Sequence, residues 1–167
     1  MKSIGIFFGS TTGDCERIAN TIAAKLGVDS ANVKNASVLA SSAAQYDALL
    51  LGSSTWGYGD LQDDWESAIS DLESLDLKGK VAAVFGCGDS SSYSDTFCNA
   101  IGLIHDALSK TGATIVGAVS ADGYSYDDSA SVRNGKFVGL AIDEVNESDK
   151  TDARIDAWVN DLKSQLA

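Results

Sequence analysis

Ile4-Gly5-Ile6-Phe7-Phe8 runs directly into Gly9-Ser10-Thr11-Thr12-Gly13-Asp14-Cys15-Glu16-Arg17. An apolar run that stops at glycine and hydroxyl residues and then opens a helical pattern aims backbone N–H groups and side-chain hydroxyls at one point, which suits a phosphate. Ile18, Ile22 and Leu26 recur every four residues, so the first helical turn falls at about Gly13 to Arg17. Neither G-x-x-x-x-G-K nor G-x-G-x-x-G spacing is present, which argues against an NTPase or dinucleotide loop. A Ser/Thr/Gly-rich turn before a helix also serves as a plain N-cap, and from this stretch alone the two readings stand level.

The same alternation continues along the chain. Asn32 to Val38 carries a weak pattern for an edge strand, and Ala43 to Tyr46 for one helical turn. Ala48-Leu49-Leu50-Leu51-Gly52 is a continuous apolar run ending at Ser53, the pattern of a strand buried on both faces. Trp65, Ile69 and Leu72 predict a helix over about Gln62 to Leu75 with its carboxylates outward. Val81 to Phe85 is a further buried strand; Phe97, Ile101, Ile104 and Leu108 mark a helix; Thr114 to Val119 reads as a strand. Strands alternating with helices predict an α/β fold with a parallel sheet and right-handed crossovers. From Ala121 to about Gly139 the helical period is lost and Asp-Gly and Asn-Gly pairs signal turns, an irregular insertion that interrupts the last strand before Leu140 to Ile142 resumes it. Ile155, Val159, Leu162 and Leu166 form the stripe of a final helix capped by Thr151. With no proline, linker or repeat, residues 1–167 are expected to form a single domain.

Composition narrows the function classes. The 44% hydrophobic and 22% charged content is that of a globular protein, and the N-terminal apolar run is too short for a signal peptide, so a cytoplasmic location is expected. Asp and Glu number 24 against 12 Lys and Arg, a formal charge of −12 that repels nucleic acid and anionic membranes and attracts basic partners. The three cysteines, Cys15, Cys87 and Cys98, include no C-x-x-C pair, and with a single His105 they indicate neither a disulfide framework nor a zinc site.

In an open parallel sheet ligands bind outside the carboxyl ends of the strands. Three loops should meet there: Gly9 to Cys15, Ser53 to Gln62 with Trp56, and Gly86 to Phe97 with Tyr93. A phosphate cradle flanked by two loop aromatics suits a planar ring carrying a phosphorylated side chain, a description that flavin mononucleotide (FMN) meets. A signalling receiver would need acidic residues where this chain has Phe8-Gly9-Ser10 and Gly52-Ser53-Ser54, which nearly excludes that class.

These stretches carry a resemblance over essentially the whole chain. Ser10-Thr11-Thr12-Gly13, Thr55-Trp56 with Leu61-Gln62-Asp63-Asp64-Trp65, Gly86-Cys87-Gly88-Asp89 with Tyr93-Ser94-Asp95, and Asp122-Gly123-Tyr124 with Gly135-Lys136-Phe137-Val138-Gly139-Leu140 together resemble the flavodoxins of the long-chain subgroup. The resemblance implies a doubly wound five-stranded parallel sheet of order 2-1-3-4-5 with helices on both faces. It implies that Ser10, Thr11, Thr12, Gly13, Asp14 and Cys15 hold the FMN phosphate and that Trp56 and Tyr93 sandwich the isoalloxazine. Ser54, Thr55, Gly57, Tyr58, Gly59, Cys87, Gly88 and Asp89 would contact the ring edges, with Asp95 and Phe97 completing the set and no metal.

The family has a hydroxyl residue where this chain has Cys15, a weaker donor, so Cys15→Thr is expected to tighten FMN. The Gly57-Tyr58 peptide lies where flavodoxins turn a carbonyl toward the flavin in a stabilised neutral semiquinone. The function implied is that of a low-potential one-electron carrier, a monomer with no substrate of its own, serving basic docking faces of redox enzymes such as a ferredoxin/flavodoxin-NADP reductase or a low-potential oxidoreductase. An FMN-dependent NAD(P)H:quinone reductase is the alternative on the same fold. Trp65 and Trp158 read as packing residues and His105 as a surface or boundary residue, while Tyr124 and Tyr126 could either dock partners or pack the insertion.

Overall fold

The computed structural model describes residues 3–9, 13–56 and 60–166. Strand β1 (Ile4–Gly9) feeds helix α1 (Asp14–Leu26), followed by β2 (Val33–Asn35) and the single turn α2 (Leu39–Ser42). Then come β3 (Ala48–Trp56), β4 (Asp60–Leu61), α3 (Asp63–Glu73), β5 (Val81–Cys87) and α4 (Asn99–Leu108). The last third holds β6 (Thr114–Ile115), β7 (Val119–Ser120), β8 (Val132–Arg133), β9 (Lys136–Phe137), β10 (Leu140–Ile142) and α5 (Thr151–Gln165). The main sheet runs β2-β1-β3-β5-β10, all parallel, which is the expected 2-1-3-4-5 order.

Alternation along the apolar runs distributes the helices to both faces. Ile4, Ile6, Leu50, Ala83 and Phe85 face the stripes of α1 and α5, while Phe7, Leu49, Leu51 and Val84 face α2, α3 and α4. Burial on both faces is why these strands are uniformly apolar.

Four expectations need correction, the first being the cap of the last helix: Thr151 is the first residue of α5, and its hydroxyl donates to Glu144 Oε1 instead of capping the helix. Strand β3 does not end at Gly52: it continues to Trp56, where Thr55 and Trp56 pair antiparallel with Leu61 and Asp60. A serine continues a buried strand here because its hydroxyl is satisfied; Ser53, 0% exposed, donates to Ser54 O at 2.8 Å and accepts from Gln62 N at 3.2 Å. The strand expected over Thr114 to Val119 leaves the main sheet after Ile115. Gly117 turns it away at φ 89°, a backbone region open to glycine, and its carbonyl accepts the Trp158 indole N–H at 2.8 Å. Within 116–139 the chain then builds a small antiparallel sheet, β7-β9-β8, before β10 rejoins β5. Helix α4 starts at Asn99, two residues after Phe97, because Cys98 adopts a left-handed conformation at φ 53°.

The insertion has its own aromatic core. Phe97 stacks on Tyr126 with centroids 5.6 Å apart and meets Phe137 edge-on at 5.8 Å, while Tyr124 meets Phe137 at 4.7 Å. The Tyr124 hydroxyl donates to Ala141 O at 2.7 Å, the Arg154 guanidinium lies 3.8 Å over its ring, and burial pushes its pKa up to about 12. Tyr124 and Tyr126 therefore pack the insertion against the domain.

Candidate functional site

At the carboxyl ends of β1, β3, β5 and β10 the loops enclose a cleft. Ser54 and Thr55 line it from β3, Cys87, Gly88, Asp89 and Tyr93 from the end of β5 and its following turn, Asp14 from α1, and Glu144 and Val145 from the turn after β10. Tyr93 is 42% exposed and Val145 66%, the two most open large apolar groups of the cleft.

Each wall has a local cause. Gly13 takes φ 94° just ahead of α1, and the first bond of the helical ladder runs from Arg17 N to Gly13 O at 2.9 Å. The N–H groups of Asp14, Cys15 and Glu16 precede that ladder, so they point out of the helix end toward the cleft. The Thr55 hydroxyl accepts from Ala100 N at 3.1 Å and thereby locks the end of β3 to the start of α4. Gly88 presses its backbone against the core: a Cβ there would lie 2.8 Å from Cys98 N. The turn after β5 winds around Asp89, whose carboxylate accepts from Ser91 N and Ser92 N at 3.0 Å each, and whose carbonyl accepts from Tyr93 N at 2.9 Å.

The electrostatics are acidic. Burial pushes the Asp89 carboxyl up, but hydrogen bonds from Ser92 N–H, the Asn146 amide and Ser91 N–H hold it net below the usual carboxylate range. Arg17, the base closest to the first loop, is bound by Glu144 at 2.5 Å and Asp14 at 3.2 Å, and the Glu144 bond raises its pKa. Its charge is thus engaged by two carboxylates, and neutral N–H and O–H donors are what the cleft offers an anion.

The expected site residues divide into three groups. Gly13, Asp14, Ser54, Thr55, Cys87, Gly88, Asp89 and Tyr93 are brought to the cleft or its helix terminus. Ser10, Thr11, Thr12, Gly57, Tyr58, Gly59 and the Trp56 side chain lie outside the described residues. Three expectations change. Phe97 is 1% exposed in the insertion's aromatic cluster, with its N–H bonded to Asp128 O and its carbonyl taking the Ser129 hydroxyl, so neither ring nor backbone faces the cleft. Asp95 is exposed on the turn but does not line the cleft. Cys15 is 0% exposed and its thiol turns inward: a hydrogen bond with Cys87, then burial, raises its pKa well above the ordinary thiol value. It contributes its N–H to the helix terminus, and its sulfur belongs to the core.

Sequence reasoning missed the fourth loop, Asp143 to Glu147. Its signal was available, since it follows the carboxyl end of a parallel strand, the place where the other three loops were sought. Trp65 and Trp158 are packing residues, buried with their indoles bonded to Gly52 O and Gly117 O, and His105 is a boundary residue with 26% of its side chain exposed.

Comparison with known proteins agrees with this geometry. The sequence matches the flavodoxin family over residues 6–158. A flavodoxin of Nostoc sp. is 44% identical over 166 residues, covering 99% of this chain and 98% of the relative. Flavodoxin 1 of Escherichia coli is 43% identical over 171 residues, covering 99% and 96%. A crystal structure of Fusobacterium nucleatum flavodoxin bound to flavin mononucleotide superposes with a TM-score of 0.91 at 30% identity over 100% of both chains.

Proposed function

The chain belongs to the flavodoxin family, and from that premise we propose that it carries single electrons between redox enzymes on a non-covalently bound FMN. The observation that carries this reading is the shape of the cleft: the N-terminal turn of α1 at one end and the exposed face of Tyr93 on one wall, joined by the ends of four parallel strands. That donor set fits FMN. A helix terminus is worth about 0.3–1 kcal/mol to an anion, and up to about 2 when partly buried, whereas each hydrogen bond to a charged group adds about 1.5–3. The backbone donors of Asp14, Cys15 and Glu16, with the hydroxyls of Ser10, Thr11 and Thr12, would hold the phosphate without a dedicated cation.

When bound, FMN supplies a ring that takes up and releases electrons one at a time. Tyr93 would cover one ring face and exclude water from it, with Trp56 on the other. Cys87, Gly88 and Asp89 would offer backbone groups to the ring edge, and the Gly57-Tyr58 peptide would offer a carbonyl to accept a hydrogen bond from a protonated central-ring nitrogen. Asp14, Asp89 and Glu144 keep the surroundings negative. A carboxylate about 10 Å from a gained negative charge opposes it by roughly 1.7 kcal/mol at an effective dielectric of 20, so these residues would hold the second reduction at low potential.

The 116–139 insertion supports a long-chain member, and the formal charge of −12 suits basic docking faces on reductases and low-potential oxidoreductases. Among the described residues no helix is long and apolar enough to cross a membrane. The protein is an electron carrier and not an enzyme, and we place it in the cytoplasm as a monomer.

Titration of the apoprotein with FMN, followed by flavin fluorescence, tests the reading. Quenching should saturate at one equivalent, and riboflavin, which lacks the phosphate, should bind at least about 100-fold more weakly, the loss of two charge-assisted hydrogen bonds. Equal affinity for the two flavins would remove the phosphate from the α1 terminus.

A further inference from the structure

One hydrogen-bond network stands behind the cleft without lining it. Asp143, the first residue after β10, is 0% exposed and forms no ion pair among the described residues. A buried carboxylate of that kind must be satisfied by neutral donors. It accepts from the Ser90 hydroxyl, from Ser90 N at 3.3 Å, from Asn146 N at 3.1 Å, and from Asn146 Nδ2 at 3.1 and 3.2 Å. The same Nδ2 donates to Asp89 Oδ1 at 2.8 Å. An amide NH2 has two hydrogens, so one neutral group bridges two carboxylates that would otherwise repel. Asp89 is the centre of the turn that ends at Tyr93, and Asn146 thus ties the carboxylate at that centre to the end of β10, beside the direct bonds from Ser90 to Asp143.

We propose that Asn146 is a positioning residue for the cofactor: by bridging Asp89 and Asp143 it holds the 89–93 turn, and with it the Tyr93 ring, against the cleft. The inference rests on the FMN reading above. An amide is the group that does this without cost to the redox chemistry. An aspartate would add a third carboxylate to the pair, and a lysine would bring a positive charge next to a cofactor whose reduced form the acidic surroundings disfavour.

The test uses full-length apoprotein reconstituted with FMN. Asn146→Ala should weaken FMN about tenfold, the equivalent of one charge-assisted hydrogen bond, and should raise the fluorescence of the bound flavin because the Tyr93 ring no longer rests on it. The effect acts through Tyr93, so Asn146→Ala placed on Tyr93→Ala should cost no further affinity. Asn146→Asp, equal in size, should be worse than Asn146→Ala, and Ser90→Ala, which removes one donor to Asp143, gives a milder change in the same direction should the alanine variant fail to fold. Wild-type affinity and fluorescence in Asn146→Ala, or additive losses with Tyr93→Ala, would overturn the proposal. Failure of the wild-type protein to bind FMN would instead overturn the functional reading.

Discussion

Cys15 sits in the first turn of α1, where the cleft takes its anion donors, yet its sulfur is turned to Cys87 inside the core. A threonine there would have to bury its hydroxyl in the apolar cluster beneath α1 or swing it out, so the earlier expectation of tighter FMN with Cys15→Thr no longer follows. Cys15→Ala should lower stability by about 1–2 kcal/mol through the small cavity it leaves and leave the FMN dissociation constant within about threefold, since the N–H is unchanged. A loss beyond about tenfold would place the thiol among the phosphate donors. Residue by residue, the cleft was legible where a side chain stood in a loop with no periodic partner, as Tyr93 does. Phe97 keeps its spacing to Ile101 and so continues the stripe of α4, which disguised a residue that packs outside the helix, while its place in the cofactor set came from the resemblance alone. Asp143 and Asn146 left no pattern, because a network is formed by residues 53 and 57 positions apart in the chain.

At the scale of elements, apolar runs and helical stripes were sufficient to fix a parallel sheet covered by helices, since burial on both faces leaves little choice of residue, while the strand order came from the family resemblance. The break in the last strand was legible but not its position, which the turn signals put at Ala121: Ile115-Val116-Gly117-Ala118-Val119 has a strand's composition, and only Gly117's positive φ and the Trp158 indole reveal the turn. A Cβ at Gly117 would lie 2.9 Å from Trp158 Nε1 and 3.3 Å from the Ala83 Cβ. Gly117→Ala therefore combines about 1–2 kcal/mol of left-handed strain with a clash in the core, and should destabilise by about 2–4 kcal/mol. Gly123→Ala, at φ 86° with open space around it, carries the strain alone and should cost about 1–2. Chemical denaturation of the two variants decides: equal losses would mean that the Trp158 contact does not hold the turn.

For the whole molecule, charge sets the behaviour. A formal charge of −12 makes the compact state self-repelling, so added salt should raise the apoprotein's melting temperature while slowing electron delivery to a basic partner. Acid acts through particular groups. Arg133 holds Asp106 below its usual range; burial opposes but hydrogen bonds win at Asp89; Lys150, then Arg154, holds Glu147 down against burial. A depressed folded-state pKa contributes stability above the unfolded value and loses it as pH falls through the folded one, so these three contributions are intact at neutral pH and fade below about pH 4. The central claim, a one-electron carrier, is tested most directly by potentiometric titration of the reconstituted protein under anaerobic conditions. Two separate one-electron steps are expected, the second at the lower potential and made less negative when Asp89 or Glu144 is neutralised to the amide. A single two-electron wave at the potential of free FMN would contradict it.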